Sequence, residues 1–176
     1  MSSILLSISG HDRPGIVRDV SEALLHLEAN IEDSSMTALR GRFTMMMIVS
    51  LPDDRSLGEL KATLAELEQR THLTVQSQVI SDEEAATQAL QPDHVITVHG
   101  ADRVGIVHAV TAALADVGAS IVDVSTEQRE SESGDVYMMV LEVAANGADA
   151  MDDALQAVAG RIGVSVEVHV LDDAIL

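Results

Sequence analysis

GHDRPGIVRDVSEALLHLEANIEDSS, residues 10–35, lies over GADRVGIVHAVTAALADVGASIVDVS, residues 100–125, at a constant offset of 90 with 13 of 26 positions identical. The matches include Gly10/Gly100, Asp12/Asp102, Arg13/Arg103, Gly15/Gly105, Ile16/Ile106, Ile31/Ile121 and Asp33/Asp123. Beyond this block the offset is read as 93, which sets Gly41 against Gly134 and Met45-Met46 against Met138-Met139. Self-similarity of this kind means that the chain holds two copies of one unit of ~80 residues. Two copies suit paired modules, because a solenoid needs about three or more repeats to bury its core.

Each copy reads strand, helix, strand, strand, helix, strand. The first strand alternates Leu6 and Ile8 with Ser7 and Ser9, and its counterpart alternates Ile96 and Val98 with Thr97 and His99, the period of a half-buried strand. One apolar stripe at helical spacing follows, Ile16, Val20, Leu24 and Leu27, repeated as Ile106, Val110, Leu114 and Val117. Residues 30–39 and 42–51, and later 120–131 and 134–145, read as strand pairs turning at Gly41 and Gly134. Ser56 and Glu59 form a capping box that opens a second helix burying Leu57, Leu60, Leu64 and Leu67. Met151, Leu155, Val158 and Ile162 make the equivalent stripe, and Val164, Val166, Val168 and Val170 mark the last strand.

A βαββαβ unit with one-sided helices places both helices on one face of an antiparallel sheet, so the expected fold class is α+β: two ferredoxin-like domains in tandem. The expected boundaries are 1–80 for the first domain, 81–93 for an acidic linker with a helical turn or two, and 94–176 for the second. Pointing Glu142 to solvent turns Met139 and Leu141 inward. Carried across at an offset of 93, this puts Met46 and Ile48 inside and Met45, Met47 and Val49 on the open sheet face.

Composition removes several functions. The 29 Asp and Glu against 10 Lys and Arg give a formal charge of −19, which repels phosphate backbones and argues against direct nucleic-acid contact. Phe43 and Tyr137 are the only aromatic residues, too few to stack single-stranded bases. The charge is uneven: −4 over residues 1–80, −4 in the linker and −11 over residues 94–176. The absence of Cys excludes disulfides, thiolate metal sites and a Cys nucleophile. No apolar run nears the ~18 residues of a membrane span, and MSSILLSISGHD lacks the basic flank of a signal peptide, so a cytoplasmic protein without membrane contact is expected.

The chemistry concentrates in Gly-His-Asp-Arg-Pro-Gly-Ile, residues 10–16, and Gly-Ala-Asp-Arg-Val-Gly-Ile, residues 100–106, which join strand to helix in each copy. Pro14 suits a first helical turn, with Asp12 or Arg13 as the cap, and Gly15 permits close approach of a ligand or a neighbouring backbone. Free N–H groups at such a helix start suit a carboxylate, although a plain capped helix start fits the same residues. Asn30 reads equally as a left-handed turn residue at the helix end.

Asp12-Arg13-Pro14-Gly15-Ile16-Val17 followed by Asn30-Ile31, with the looser match Asp102-Arg103-Val104-Gly105-Ile106-Val107 followed by Ser120-Ile121, resembles the ACT domain, a ferredoxin-like regulatory module that binds small molecules, often amino acids. Two such units look most like the glycine cleavage system transcriptional repressor group. The resemblance implies a ligand held between two modules. Asp12 and Asn30, or Asp102 and Ser120, would supply side chains. Backbone amides near Gly15-Ile16 and Gly105-Ile106 would take a carboxylate. His11, Arg13, Ile31 and Arg103 complete the candidate positions. Val104 in place of Pro14 and Ser120 in place of Asn30 mark the second copy as the degenerate one. The implied partners are a small effector such as glycine, a regulatory protein that receives the signal, and a further copy of the chain in a homo-oligomer. An allosteric subunit of a separate biosynthetic enzyme is the alternative.

Other constellations point to no chemistry. His94, His99, His108 and His169 form no i, i+4 pair beside an acid and read as scattered surface residues, so no metal site is assigned. Met45-Met46-Met47 reads as flexible packing. Gly10-x-x-x-x-Gly15 is followed by no Lys-Ser/Thr and is no phosphate loop. No cofactor motif, Gly-x-Ser-x-Gly or nucleophile–base pair occurs, so no catalytic residue is assigned. Arg13 with Asn30 is the candidate pair for the alternative of a small ferredoxin-like hydrolase.

Overall fold

The computed structural model describes residues 2–129, 136–145 and 148–171, so the turn expected at Gly134 and the chain beyond Leu171 lie outside the described residues. The chain divides into two compact units, one up to Gln88 and one from Ala89 onward. The first contains β1 (Ser2–His11), α1 (Ile16–His26), β2 (Asn30–Leu39), β3 (Arg42–Leu51), α2 (Leu57–Thr71), β4 (Thr74–Ile80) and the single turn α3 (Asp82–Ala85). The second contains β5 (His94–Ala101), α4 (Ile106–Asp116), β6 (Ser120–Arg129), β7 (Val136–Ala144), α5 (Ala148–Ile162) and β8 (Ser165–Val170). The sheets run β2-β3-β1-β4 and β6-β7-β5-β8, all neighbours antiparallel, which is the expected ferredoxin-like α+β arrangement twice over.

Each sheet buries one face against its two helices. In the first unit Leu6, Ile8, Ile16, Val20, Leu24, Leu60, Leu64 and Leu67 share one core; in the second Ile96, Val98, Ile106, Val110, Leu114, Met151, Leu155 and Val158 do the same. Burying one such side chain stabilises by roughly 1.5–3 kcal/mol. Ser56 and Glu59 form the expected capping box on α2, and Ser81 and Glu84 form a second on α3. Leu57, expected inside, is exposed because it occupies the first helical position, outside the buried stripe of α2. In β8 the alternation fades: Val166 is buried, Val168 partly so, Val170 exposed, and Val164 precedes the strand.

The third strand corrects the repeat alignment. Ile8 pairs with Met45 and Leu6 with Met47, while Val98 pairs with Met139 and Ile96 with Leu141. The equivalent offset is therefore 94, not 93, and Met45, Met47 and Val49 are buried while Met46 is 53% exposed. With a side-chain period of two, the one-residue error moves every residue to the wrong face. The same offset makes Tyr137 the counterpart of Phe43.

His94 departs from the surface reading of the histidines. It holds the core position that Ile4 holds in the first copy and is 6% exposed. Its Nδ1 meets Asp93 Oδ1 at 2.6 Å, and the same carboxylate oxygen accepts the Ala145 N–H at 2.9 Å. The Asp93 backbone bonds Val143 and Leu171, which ties the start of β5 to the ends of β7 and β8. Among the described residues no helix is long and apolar enough to cross a membrane.

Candidate functional site: the strand-to-helix loops

In both copies the helix starts on a left-handed glycine, with Gly15 at φ 88° and Gly105 at φ 98°, and no side chain caps either helix. The cap expected from Asp12 or Arg13 is thus absent, and Pro14 precedes the cap instead of entering the first turn. A positive φ costs a residue with a Cβ about 1–2 kcal/mol, which is why glycine stands here. The first amides of α1 and α4 have no intrahelical acceptor, as at any helix start. Ile16 and Ile106 are 2% and 3% exposed, so their side chains belong to the core.

The remaining candidates fall into two groups. His11 closes β1 opposite Arg42, and the Asp12 N–H donates to the Gly41 carbonyl at 2.9 Å, holding the loop at the β2–β3 turn. Asn30 opens β2 opposite Ser50, at the far end of β3. It lines an open cavity of about 560 Å³ together with Ile31, Arg18, Ser21 and Leu25. Arg42 and Ser50 are eight positions apart on one strand, so the Asp12 and Asn30 ends of the sheet are separated by about 27 Å. One module does not bring them together. The left-handed residue at the end of α1 is Glu28, at φ 53°, so Asn30 is a strand residue and not the turn residue of the alternative reading.

Arg13 is engaged by a residue that the sequence reading missed. Its Nη2 donates to Asp19 Oδ2 at 2.7 Å, and Arg18 Nη2 donates to Asp19 Oδ1 at 2.8 Å. The Asp19 side chain is 11% exposed, and the hydrogen bonds from Arg18 and Arg13 hold its carboxyl below the usual carboxylate range. The available signal was an acid in the first turn of α1, flanked by two arginines, where the second copy has Ala109.

The second loop is arranged differently. Gln128 Nε2 donates to Asp102 Oδ2 at 3.0 Å, and among the described residues the Arg103 side chain donates only to the Ile162 carbonyl, at 3.5 Å. Arg103, Val104, Gly105, His108 and Tyr137 line an open cavity of about 480 Å³. The Tyr137 hydroxyl is shielded from water, with Thr126 near it but outside hydrogen-bond geometry, and burial pushes its pKa up. Ser120 opens β6 opposite Ala144. Among the described residues no group of three His, Asp or Glu could hold a metal.

Comparison with known proteins agrees with this architecture. The ACT-domain family models match residues 2–78 and 94–160. A UPF0237 protein of Methanopyrus kandleri is 45% identical over 65 residues, which are 36% of this chain and 72% of that protein. A UPF0237 protein of Corynebacterium diphtheriae is 32% identical over 81 residues, 44% of this chain and 91% of its own. Among solved structures, an unknown protein from Galdieria sulphuraria has 31% identity and a TM-score of 0.79, covering 97% of this chain and 99% of its own. A candidate glycine cleavage system transcriptional repressor has the same fold at 17% identity and a TM-score of 0.73, with 98% of both chains covered. The chain belongs to the ACT-domain family and carries two such domains in tandem.

Proposed function

We propose that the protein is a non-catalytic, cytoplasmic sensor of a small amino acid, held between two ACT modules and signalling through a partner protein. The observation that carries this reading is the separation of Asp12 from Asn30 by about 27 Å along one sheet. A small ligand touching a loop aspartate and a strand-opening asparagine must take them from different modules, so its binding reports on how modules pair. The loop amides and arginine suit its carboxylate and the loop aspartate its ammonium. Pairing has a ready surface: β2 and β6 are ten-residue edge strands, and such edges template further strands.

Glycine is the first candidate, taken from the name of the chain-length neighbour whose fold this chain shares. A cavity without aromatic walls on the Asn30 side favours a small, polar ligand. With a net charge of −19, control of transcription would run through a partner that contacts DNA in its stead. Pull-down from the native host names that partner: a transcription factor supports the regulatory reading, and a biosynthetic enzyme supports the allosteric-subunit alternative. Thermal-shift measurement against the twenty amino acids tests the ligand class. One amino acid, or a small related set, raises Tm; a flat panel removes the amino-acid reading. Hydrolase turnover that disappears in Arg13→Ala would overturn the non-catalytic assignment.

A further inference from the structure

The repeat supplies an internal control, because two loops of common sequence carry the same arginine in different surroundings. In the first, Arg13 donates to Asp19 at 2.7 Å, with a carboxylate that a second arginine, Arg18, also holds at 2.8 Å. In the second, the position of Asp19 is Ala109 and that of Arg18 is His108. The neighbouring acid Asp102 is engaged by Gln128 at 3.0 Å, and Arg103 makes no ion pair among the described residues. Its one side-chain hydrogen bond among the described residues is to the Ile162 carbonyl at 3.5 Å, the outer limit of such a bond. The cavity of about 480 Å³ lies against Arg103, whereas the large cavity of the first unit lies at Asn30 and includes neither Asp12 nor Arg13.

We infer that Asp19 is a built-in counter-ion that reserves the first loop's arginine, so that of the two loops the second, through Arg103, takes the carboxylate of an anionic ligand. A dissolved carboxylate competing for Arg13 meets one tethered six residues away, whose effective concentration is on the order of millimolar or more. At Arg103 it displaces only a long bond to a neutral carbonyl, and an arginine–carboxylate pair is the stronger interaction. This inverts the expectation from Val104 and Ser120 that the second loop is the degenerate one. It deepens the sensor reading, on which it rests for the class of ligand, by naming the loop that takes the carboxylate.

The test uses the full chain labelled with 15N and follows the Nε–Hε resonances of Arg13 and Arg103 during titration with sodium acetate at constant ionic strength. Arg13→Lys and Arg103→Lys assign the two signals. In the natural sequence the Arg103 resonance shifts saturably and the Arg13 resonance stays. In Asp19→Asn the Arg13 resonance shifts as well, and in Ala109→Asp the Arg103 shift is lost. Backbone amide spectra check that each variant is folded, and Asp19→Asn suffices if Ala109→Asp is not. Arg13 responding with the same midpoint as Arg103, Arg103 staying silent, or Asp19→Asn leaving Arg13 unresponsive would overturn the inference. Acetate carries no ammonium, so the ranking of the loops is decided whether or not an amino acid is sensed. A selective Arg103 response beside a flat amino-acid panel removes the sensor reading and keeps this one.

Discussion

Asp19 sits in the first turn of α1 with two guanidinium groups on its carboxylate, and those hydrogen bonds lower its pKa in the folded chain. An unfolded aspartate titrates near 3.9, so the folded value lies below the unfolded one. The stabilisation from these pairs is therefore fully present above about pH 4 and is lost as pH falls through the folded value. The urea midpoint of the natural sequence is expected to exceed that of Asp19→Asn at neutral pH, with the difference closing in acid. Equal midpoints at neutral pH would mean that the pairs are energetically idle. Gly15 and Gly105 are subject to a different constraint, since both need positive φ. Gly15→Ala and Gly105→Ala are each expected to cost about 1–2 kcal/mol in chemical denaturation. At this scale the motif was legible, because glycine, aspartate and arginine recur at fixed spacing. The partner of Arg13 was not, because an arginine six residues before an acid meets it only if the loop folds back over the first helical turn.

Elements were read correctly where period and caps agreed. The stripe Ile16, Val20, Leu24 and Leu27 is buried throughout, and Ser56 with Glu59 starts α2 as their spacing predicts. Ser56→Ala is expected to cost about 1 kcal/mol, read from the denaturation midpoint, because the Glu59 N–H loses its bond to Ser56 Oγ while the backbone N–H of residue 56 keeps the Glu59 carboxylate. The Met45-Met46-Met47 run is the counter-example. Three consecutive methionines carry no alternation, so their face could come only from the repeat, and the repeat slipped by one residue at the hairpin. Strand pairing gives the face directly: Met47 lies opposite Leu6 in the core and Met46 opposite Ser7 on the open face. Met47→Ala is expected to cost about 2–5 kcal/mol, and Met46→Ala to stay within about 0.5 kcal/mol. Equal losses from the two variants would contradict the register.

At the scale of the whole molecule, duplication lets two modules of one fold diverge. The first keeps Asn30 beside a large cavity and ties up Arg13; the second replaces that asparagine by Ser120 and leaves Arg103 without an ion pair among the described residues. Acidity follows the same division, with −11 of the formal charge in residues 94–176. Fold and tandem organisation could be read from the chain because hydrophobic period and self-similarity are local signals. Which end of which module serves a ligand could not, because Asp12 and Asn30 are 18 residues apart in sequence yet occupy opposite ends of a sheet. Isothermal calorimetry of the natural sequence and of Asn30→Ala, with glycine first and then the other amino acids, tests the central claim that an amino acid is held between modules. The account predicts saturable binding to the natural sequence, with about 2.7 kcal/mol of added stability at a hundredfold excess over Kd, and its loss in Asn30→Ala. Binding by no amino acid, or binding unchanged in Asn30→Ala, would contradict it.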